Sequence, residues 1–167
     1  MKIKILLLLI LIISGCSSKT QMNIINIKTD KLGYEFISND IVLLLKNIYP
    51  PAKTPIVINI KDNEEFSEFL ENNLRQAGYA VREIQHIEAT VYPNEKELKF
   101  TIDTINENSD EKKVKKINND TSINFRTSVK INNILYSRMY VMYSNYEINA
   151  VSGWLEIDLS SISTSGE

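Results

Sequence analysis

The stretch Ile123-Asn124-Phe125-Arg126-Thr127-Ser128-Val129-Lys130-Ile131-Asn132-Asn133-Ile134 decides the fold. Ile123, Phe125, Thr127, Val129 and Ile131 alternate with Asn124, Arg126, Ser128 and Lys130, the period of a strand that turns one face to a core. Asn132-Asn133 fits a two-residue hairpin turn, because asparagine tolerates the positive φ that such turns need. The next strand runs from Ile134 to Tyr143, and Ser144-Asn145 turns the chain again. A last strand carries Val151, Trp154, Leu155, Ile157 and Leu159, with a bend near Ser152-Gly153. Three consecutive strands on tight turns make an antiparallel meander.

Upstream, Leu98, Phe100 and Ile102 alternate with Lys99, Thr101 and Asp103, a further half-buried strand. Residues 106–121 between them are almost all charged or polar and read as a mobile loop. Tyr79 to about Val91 reads as a strand, followed by a turn at Pro93-Asn94, and the β-branched run Ile56-Val57-Ile58-Asn59-Ile60 as another.

Two helices accompany this sheet, one on either side of the Ile56–Ile60 strand in the chain. The first is expected to begin with Ser38 or Asn39 as N-cap, whose side-chain oxygen accepts a free N–H of the first turn. Ile41, Leu44, Leu45 and Ile48 form its apolar face, and Tyr49-Pro50-Pro51 ends it, because proline lacks an N–H and pushes the residue before it out of the helical region. The second opens on Asp62 and Glu65 as a capping-box variant and buries Phe66, Phe69, Leu70, Leu74 and Ala77. Gly78 is its C′ residue. The expected class is α+β: two helices on one face of a mostly antiparallel sheet of about five or six strands, ending in a three-strand meander.

The N-terminus decides location. Lys2 and Lys4 precede the apolar run Ile5 to Ile13, which is too short to span a bilayer, a task for roughly 20 apolar residues. Ser14-Gly15-Cys16 follows, the pattern of a bacterial lipoprotein signal: small residues admit a peptidase, and the Cys16 thiol accepts diacylglycerol. Residues 1–15 are then the signal peptide, 16–37 a flexible tether after the lipidated cysteine, 38–160 a single periplasmic domain and 161–167 a disordered tail. Ile24, Ile25 and Ile27 in the tether could add a short strand to a neighbour. Ser17 and Ser18 stand where an inner-membrane retention aspartate would follow the cysteine, so the outer membrane is the expected address.

Composition excludes several function classes. Cleavage leaves 17 basic against 21 acidic side chains, a net charge of −4, so no nucleic acid is expected. The longest apolar run after Cys16, Ile41 to Leu45, has five residues and cannot cross a membrane. Cys16 is the only cysteine and His86 the only histidine, which rules out a disulfide and a multi-histidine metal centre. Asp62, Glu64, Glu65, Glu68 and Glu71 read as a solvated helix face. No catalytic set, cofactor-binding loop or metal site emerges, no small-molecule substrate is expected, and the chain reads as a non-enzyme. The cluster Tyr136, Tyr140, Tyr143, Tyr146 and Trp154 is a candidate interface or ligand-binding surface.

Ser38-Asn39-Asp40 through Tyr49-Pro50-Pro51-Ala52-Lys53-Thr54, Phe66-Ser67-Glu68-Phe69-Leu70, and Leu74-Arg75-Gln76-Ala77-Gly78-Tyr79-Ala80-Val81-Arg82-Glu83 together resemble the TrbH family of conjugal-transfer lipoproteins. The resemblance covers residues 38–83 well and 123–159 loosely. It implies a structural role at the outer membrane in a conjugative type IV secretion (mating-pair formation) apparatus, anchored in lipid through acylated Cys16 and contacting other subunits of the channel. The alternative is an envelope lipoprotein that captures peptidoglycan, a sugar or a host ligand on an aromatic sheet face.

Overall fold

Two helices on one face of a mixed sheet follow from where the apolar residues fall. The computed structural model describes residues 24–59, 64–84, 90–105 and 122–161. In chain order these form β1 (Ile24–Ile25), α1 (Lys31–Ile48), a 3-10 turn (Pro51–Lys53), β2 (Ile56–Asn59), α2 (Glu64–Gln76) and β3 (Val81–Ile84). There follow β4 (Lys96–Thr104), β5 (Ile123–Ile131), β6 (Ile134–Met142), β7 (Ile148–Ala150), β8 (Leu155–Asp158) and a second 3-10 turn (Leu159–Ser161).

Six of the eight strands lie in the order β3-β2-β4-β5-β6-β7, and β1 and β8 lie off this path. β1 shares β2's edge of β4, pairing Ile24 and Ile25 with Thr101 and Ile102, whereas β2 pairs with Lys96–Leu98. β8 and β7 share the far edge of β6 in the same way, at Ile134–Ser137 and Tyr140–Met142. The pairings among β1 to β4 are parallel and those from β4 to β8 antiparallel. Parallel strands need a crossover, and α2 supplies it between β2 and β3.

The β5–β6 hairpin turns at Asn132, whose φ is 54°, as the Asn-Asn pair predicts. Its register sets Phe125 opposite Tyr140, Val129 opposite Tyr136 and Ile131 opposite Ile134. On β4, Leu98 and Phe100 continue the Ile131 and Val129 rows, and Ile102 lies opposite Thr127. α2 lays Phe66, Leu70 and Leu74 on this surface, and α1 lays Tyr34, Ile37, Ile41 and Leu45 beside them; all are buried. Burying each such side chain contributes about 1.5–3 kcal/mol before ordering entropy is counted. Phe66 meets both Phe100, centroids 5.0 Å apart, and Tyr34 at 5.7 Å, edge-on in each case. Gly78, at φ 92°, ends α2, with Tyr79 N donating to Leu74 O.

Four expectations need correcting. α1 starts at Lys31, not after Ser38: Asp30 is the N-cap, its carboxylate accepting from Gly33 N at 2.9 Å. The stretch 31–37 is therefore helix rather than tether, because Tyr34 and Ile37 reach the core two turns and one turn before Ile41. Ile24-Ile25 adds its strand to the chain's own β4, not to a neighbour, so the folded unit begins before residue 38. β3 is shorter than the run to Val91. Thr90 and Val91 lie outside any strand, because Arg82 draws the returning chain in by donating to Thr90 O. The last strand is two: β7 and β8 are separated by Val151–Trp154, where Arg138 and Met139 take Ser152 as partner instead of a strand. The signal peptide, Cys16, loop 106–121 and residues 162–167 lie outside the described residues.

Candidate functional site

A concentration of polar chemistry inside the layers is built on a strand that should present only apolar side chains to the helices. In β6 the core-facing register is Ile134, Tyr136, Arg138, Tyr140 and Met142. A guanidinium in that row cannot lose water without a partner, and α1 supplies one. Arg138 Nη1 donates to both carboxylate oxygens of Asp40, at 2.6 and 2.8 Å, while Nε donates to Ser152 O at 2.8 Å. The Tyr140 hydroxyl donates to the same carboxylate. Arg138 also lies 5.8 Å from the Tyr140 ring centroid and 5.9 Å from that of Trp154. Burial above all, and then the hydrogen bond to Asp40, push the Tyr140 phenol far above its ordinary value. The arrangement ties α1, β6 and the Val151–Trp154 strap together.

The aromatic cluster does not form one surface. Tyr136 and Tyr140 are core residues, with Tyr140 stacked on Phe125 at 5.1 Å. Tyr143 and Tyr146 are exposed at the β6–β7 turn, and Trp154 is half-buried over Arg138. A groove of about 360 Å³ near that turn is lined by Tyr143, Ser144, Asn145, Glu147 and Asn149. Another, of about 430 Å³, lies between α1 and α2 along Lys31, Glu65, Glu68, Phe69 and Asn72. Of the acidic face, Glu65 and Glu68 are exposed, and Glu71 is taken by Arg75 at 2.6 Å. Asp62, His86 and Cys16 lie outside the described residues, as does the side chain of Glu64. Among the described residues, no group of three or more His, Cys, Asp or Glu side chains is placed to hold a metal ion. No helix among them is long and apolar enough to cross a membrane.

A second clasp closes the β3–β4 crossover. Arg82 donates from Nε and Nη2 to the two Glu95 oxygens, at 2.7 and 2.5 Å, and Tyr92 N donates to Glu95 at 2.9 Å. The Arg82 hydrogen bond chiefly holds the Glu95 carboxyl below the usual glutamate range.

Fold and site together define a two-layer α+β domain whose polar interior fastens elements to one another. The family model for the conjugal transfer protein TrbH matches residues 18–158, and the chain belongs to that family. No curated protein and no solved structure matches it. Asp40 and Arg138 were not singled out by sequence reasoning. The signal was present: Arg138 occupies a core position of an alternating strand and therefore requires an acid across the layer.

Proposed function

We propose that this conjugal-transfer family member is a lipid-anchored structural component of a conjugative type IV secretion apparatus, held on the periplasmic face of the outer membrane. The observation that carries this reading is the family match from residue 18, directly downstream of Ser14-Gly15-Cys16. In this reading acylated Cys16 confines a non-catalytic domain to one surface and raises its effective concentration for the other channel subunits. The internal clamp supports it, since Asp40, Arg138 and Tyr140 satisfy one another rather than aim into a cleft.

The test is metabolic labelling with palmitate, membrane fractionation and mating assays on wild type and Cys16→Ser. Wild type should incorporate label, fractionate with the outer membrane and co-purify with channel subunits after mild detergent extraction. Cys16→Ser should keep the fold, lose the label and lower conjugation. Normal mating by an unlabelled Cys16→Ser chain would end the anchored reading.

A further inference from the structure

Two arginines hold the edge strand β3 from opposite faces, and they are not matched alike. β3 pairs with β2 alone, at one end of the sheet order. On its outer face Arg82 gives Nε and Nη2 to the two oxygens of one carboxylate, Glu95, the ordinary one-to-one fork. On its helix-facing side, where Val81 enters the core, Glu83 meets α2. There the same fork of Arg75 is split: Nε donates to Glu71 Oε1 at 2.6 Å, and Nη2 faces Glu83 Oε1 at 3.6 Å. Nε and Nη2 are bonded to one carbon, so two carboxyls crowd into the space that a single carboxylate fills at Arg82.

The cluster therefore sets two acids against one base. Among the described residues, neither carboxyl has an ion pair with any other cation. On β2 the residue opposite Glu83 is the uncharged Ile58. Glu68, one turn before Glu71 on α2, borders the α1–α2 groove instead. The Glu71 and Glu83 side chains are 17% and 38% exposed, so water screens their repulsion only in part. Two carboxyls held this close relieve that repulsion by keeping one proton between them. The hydrogen bond with Glu71 above all, then burial and the Glu71 charge, hold the Glu83 carboxyl above the ordinary glutamate range against the pull of Arg75.

We propose that Glu71 and Glu83 share one proton and work as a pH-sensitive latch between α2 and β3, closed with the proton aboard and loosened when both carboxyls ionise. A carboxyl raised on folding holds a proton that the unfolded chain has already released. Stability therefore rises as pH falls through the raised value and levels off near the ordinary one, about 4.3. Glu95, on the other face of the same strand, is depressed and loses its contribution only at lower pH. β3 is thus fastened most firmly near the ordinary glutamate value, where the inner latch has closed and the outer clasp has not yet opened.

The sequence also holds His86, a residue type that titrates between about pH 5 and 8, so the test reads the carboxyl itself. The purified full-length chain in detergent, isotope-labelled at its glutamate carboxyls, is titrated by NMR, the Glu83 signal being the one lost in Glu83→Gln. In wild type that signal should titrate above the ordinary glutamate value. In Glu71→Gln, where Arg75 is left as its only charged neighbour, it should fall to that value or below; in Arg75→Met, where two acids lack their cation, it should rise further. Thermal unfolding reads the consequence. The amide of Glu83→Gln donates to Glu71 at any pH, so its midpoint should match or exceed wild type near pH 7, and wild type should gain on it as pH falls toward about 5. A wild-type Glu83 that titrates at or below the ordinary value, a value indifferent to both Glu71→Gln and Arg75→Met, or midpoints that run parallel over that range would each overturn the proposal. None of these readouts involves lipidation or mating, so failure here is separable from failure of the anchored reading.

Discussion

Asp40 of α1 and Arg138 of β6, 98 residues apart in the chain, meet in a two-oxygen ion pair at 2.6 and 2.8 Å, with side chains 14% and 23% exposed. The pair joins the helix layer to β6 between the stretches that β8 and β7 cover, beside Phe36 of α1, whose ring lies edge-on to Tyr140. Half-burial strengthens the attraction relative to a surface pair, but it also means that each charge depends on the other for its solvation.

Removing one partner should therefore cost more than removing both. Asp40→Asn or Arg138→Met alone is expected to lower stability by roughly 2–4 kcal/mol, since the survivor is left inside without a counter-charge. The double variant should recover part of that loss. Urea unfolding of the four proteins as a double-mutant cycle measures the coupling, and strictly additive losses would show that the pair contributes nothing beyond its separate contacts.

The same cluster sets an alkaline limit. The Tyr140 phenol is raised in the folded state, by burial first and by Asp40 second. A raised group contributes stability that is complete below the unfolded value, about 10 for tyrosine, and that is lost as pH rises from there through the folded value. Stability measured from pH 9 upward should fall more gently in Tyr140→Phe than in wild type. The variant should also start roughly 1.5–3 kcal/mol lower at neutral pH, having lost one hydrogen bond to a charged acceptor. Parallel profiles would show that Tyr140 ionises as freely folded as unfolded.

Glu95 acts with the opposite sign. Its carboxyl is depressed, chiefly by the hydrogen bond from Arg82, so its contribution is complete above the ordinary glutamate value and is lost as pH falls through the folded one. Acid unfolding of Glu95→Gln should begin from a lower plateau and show a shallower decline below about pH 4.5 than wild type. Identical acid limbs in the two proteins would remove the clasp from the account of acid stability.

How much of this was legible in the sequence depended on whether the deciding partner was near in the chain. The β5–β6 hairpin was readable because alternation and the Asn132-Asn133 turn lie within one short stretch, and the end of α2 because Gly78 alone takes the left-handed conformation there. The start of α1 was not. Leu32 faces outward and Phe36 lies at the flank against Tyr140, while Tyr34 and Ile37 face inward, so the first two turns show no single stripe. Gly33, a residue that normally argues against helix, sits among them. The Asp40–Arg138 pair was hidden for a different reason, since nothing local marks which acid a core arginine will meet.

Ser38 shows what local pattern cannot decide, because a serine before an apolar run reads as a cap. In the fold it is fully buried mid-helix, donating to Glu35 O at 3.0 Å and accepting from Asn73 Nδ2 of α2 at 2.6 Å. Capping falls to Asp30. Asp30→Ala should cost about 1 kcal/mol, the usual loss of an N-cap. Ser38→Ala should cost about 1–2 kcal/mol by stranding the Asn73 amide between the helices. Asn39→Ala, exposed and second in line as a cap, should be within about 0.5 kcal/mol of wild type. A larger loss at Asn39 than at Asp30 would return the helix start to where the sequence first put it.

Gly33 is required by contact, not by backbone conformation. A Cβ there would lie 2.0 Å from Thr29 Oγ1, 2.9 Å from Ile148 Cδ1 and 3.0 Å from Thr29 Cβ. The chain before α1 and strand β7 therefore close on the helix at the one residue without a side chain. In an open helix Gly→Ala gains up to about 1 kcal/mol; here the overlap should reverse the sign and cost roughly 1–3 kcal/mol. The cause can be separated from helix propensity by trimming the neighbour. Thr29→Ala removes the nearest atom, so Thr29→Ala/Gly33→Ala should be more stable than Gly33→Ala alone, although the threonine has been lost. Thermal unfolding of the three variants decides it: if Gly33→Ala raises the midpoint, the packing of β7 against α1 is looser than these distances require.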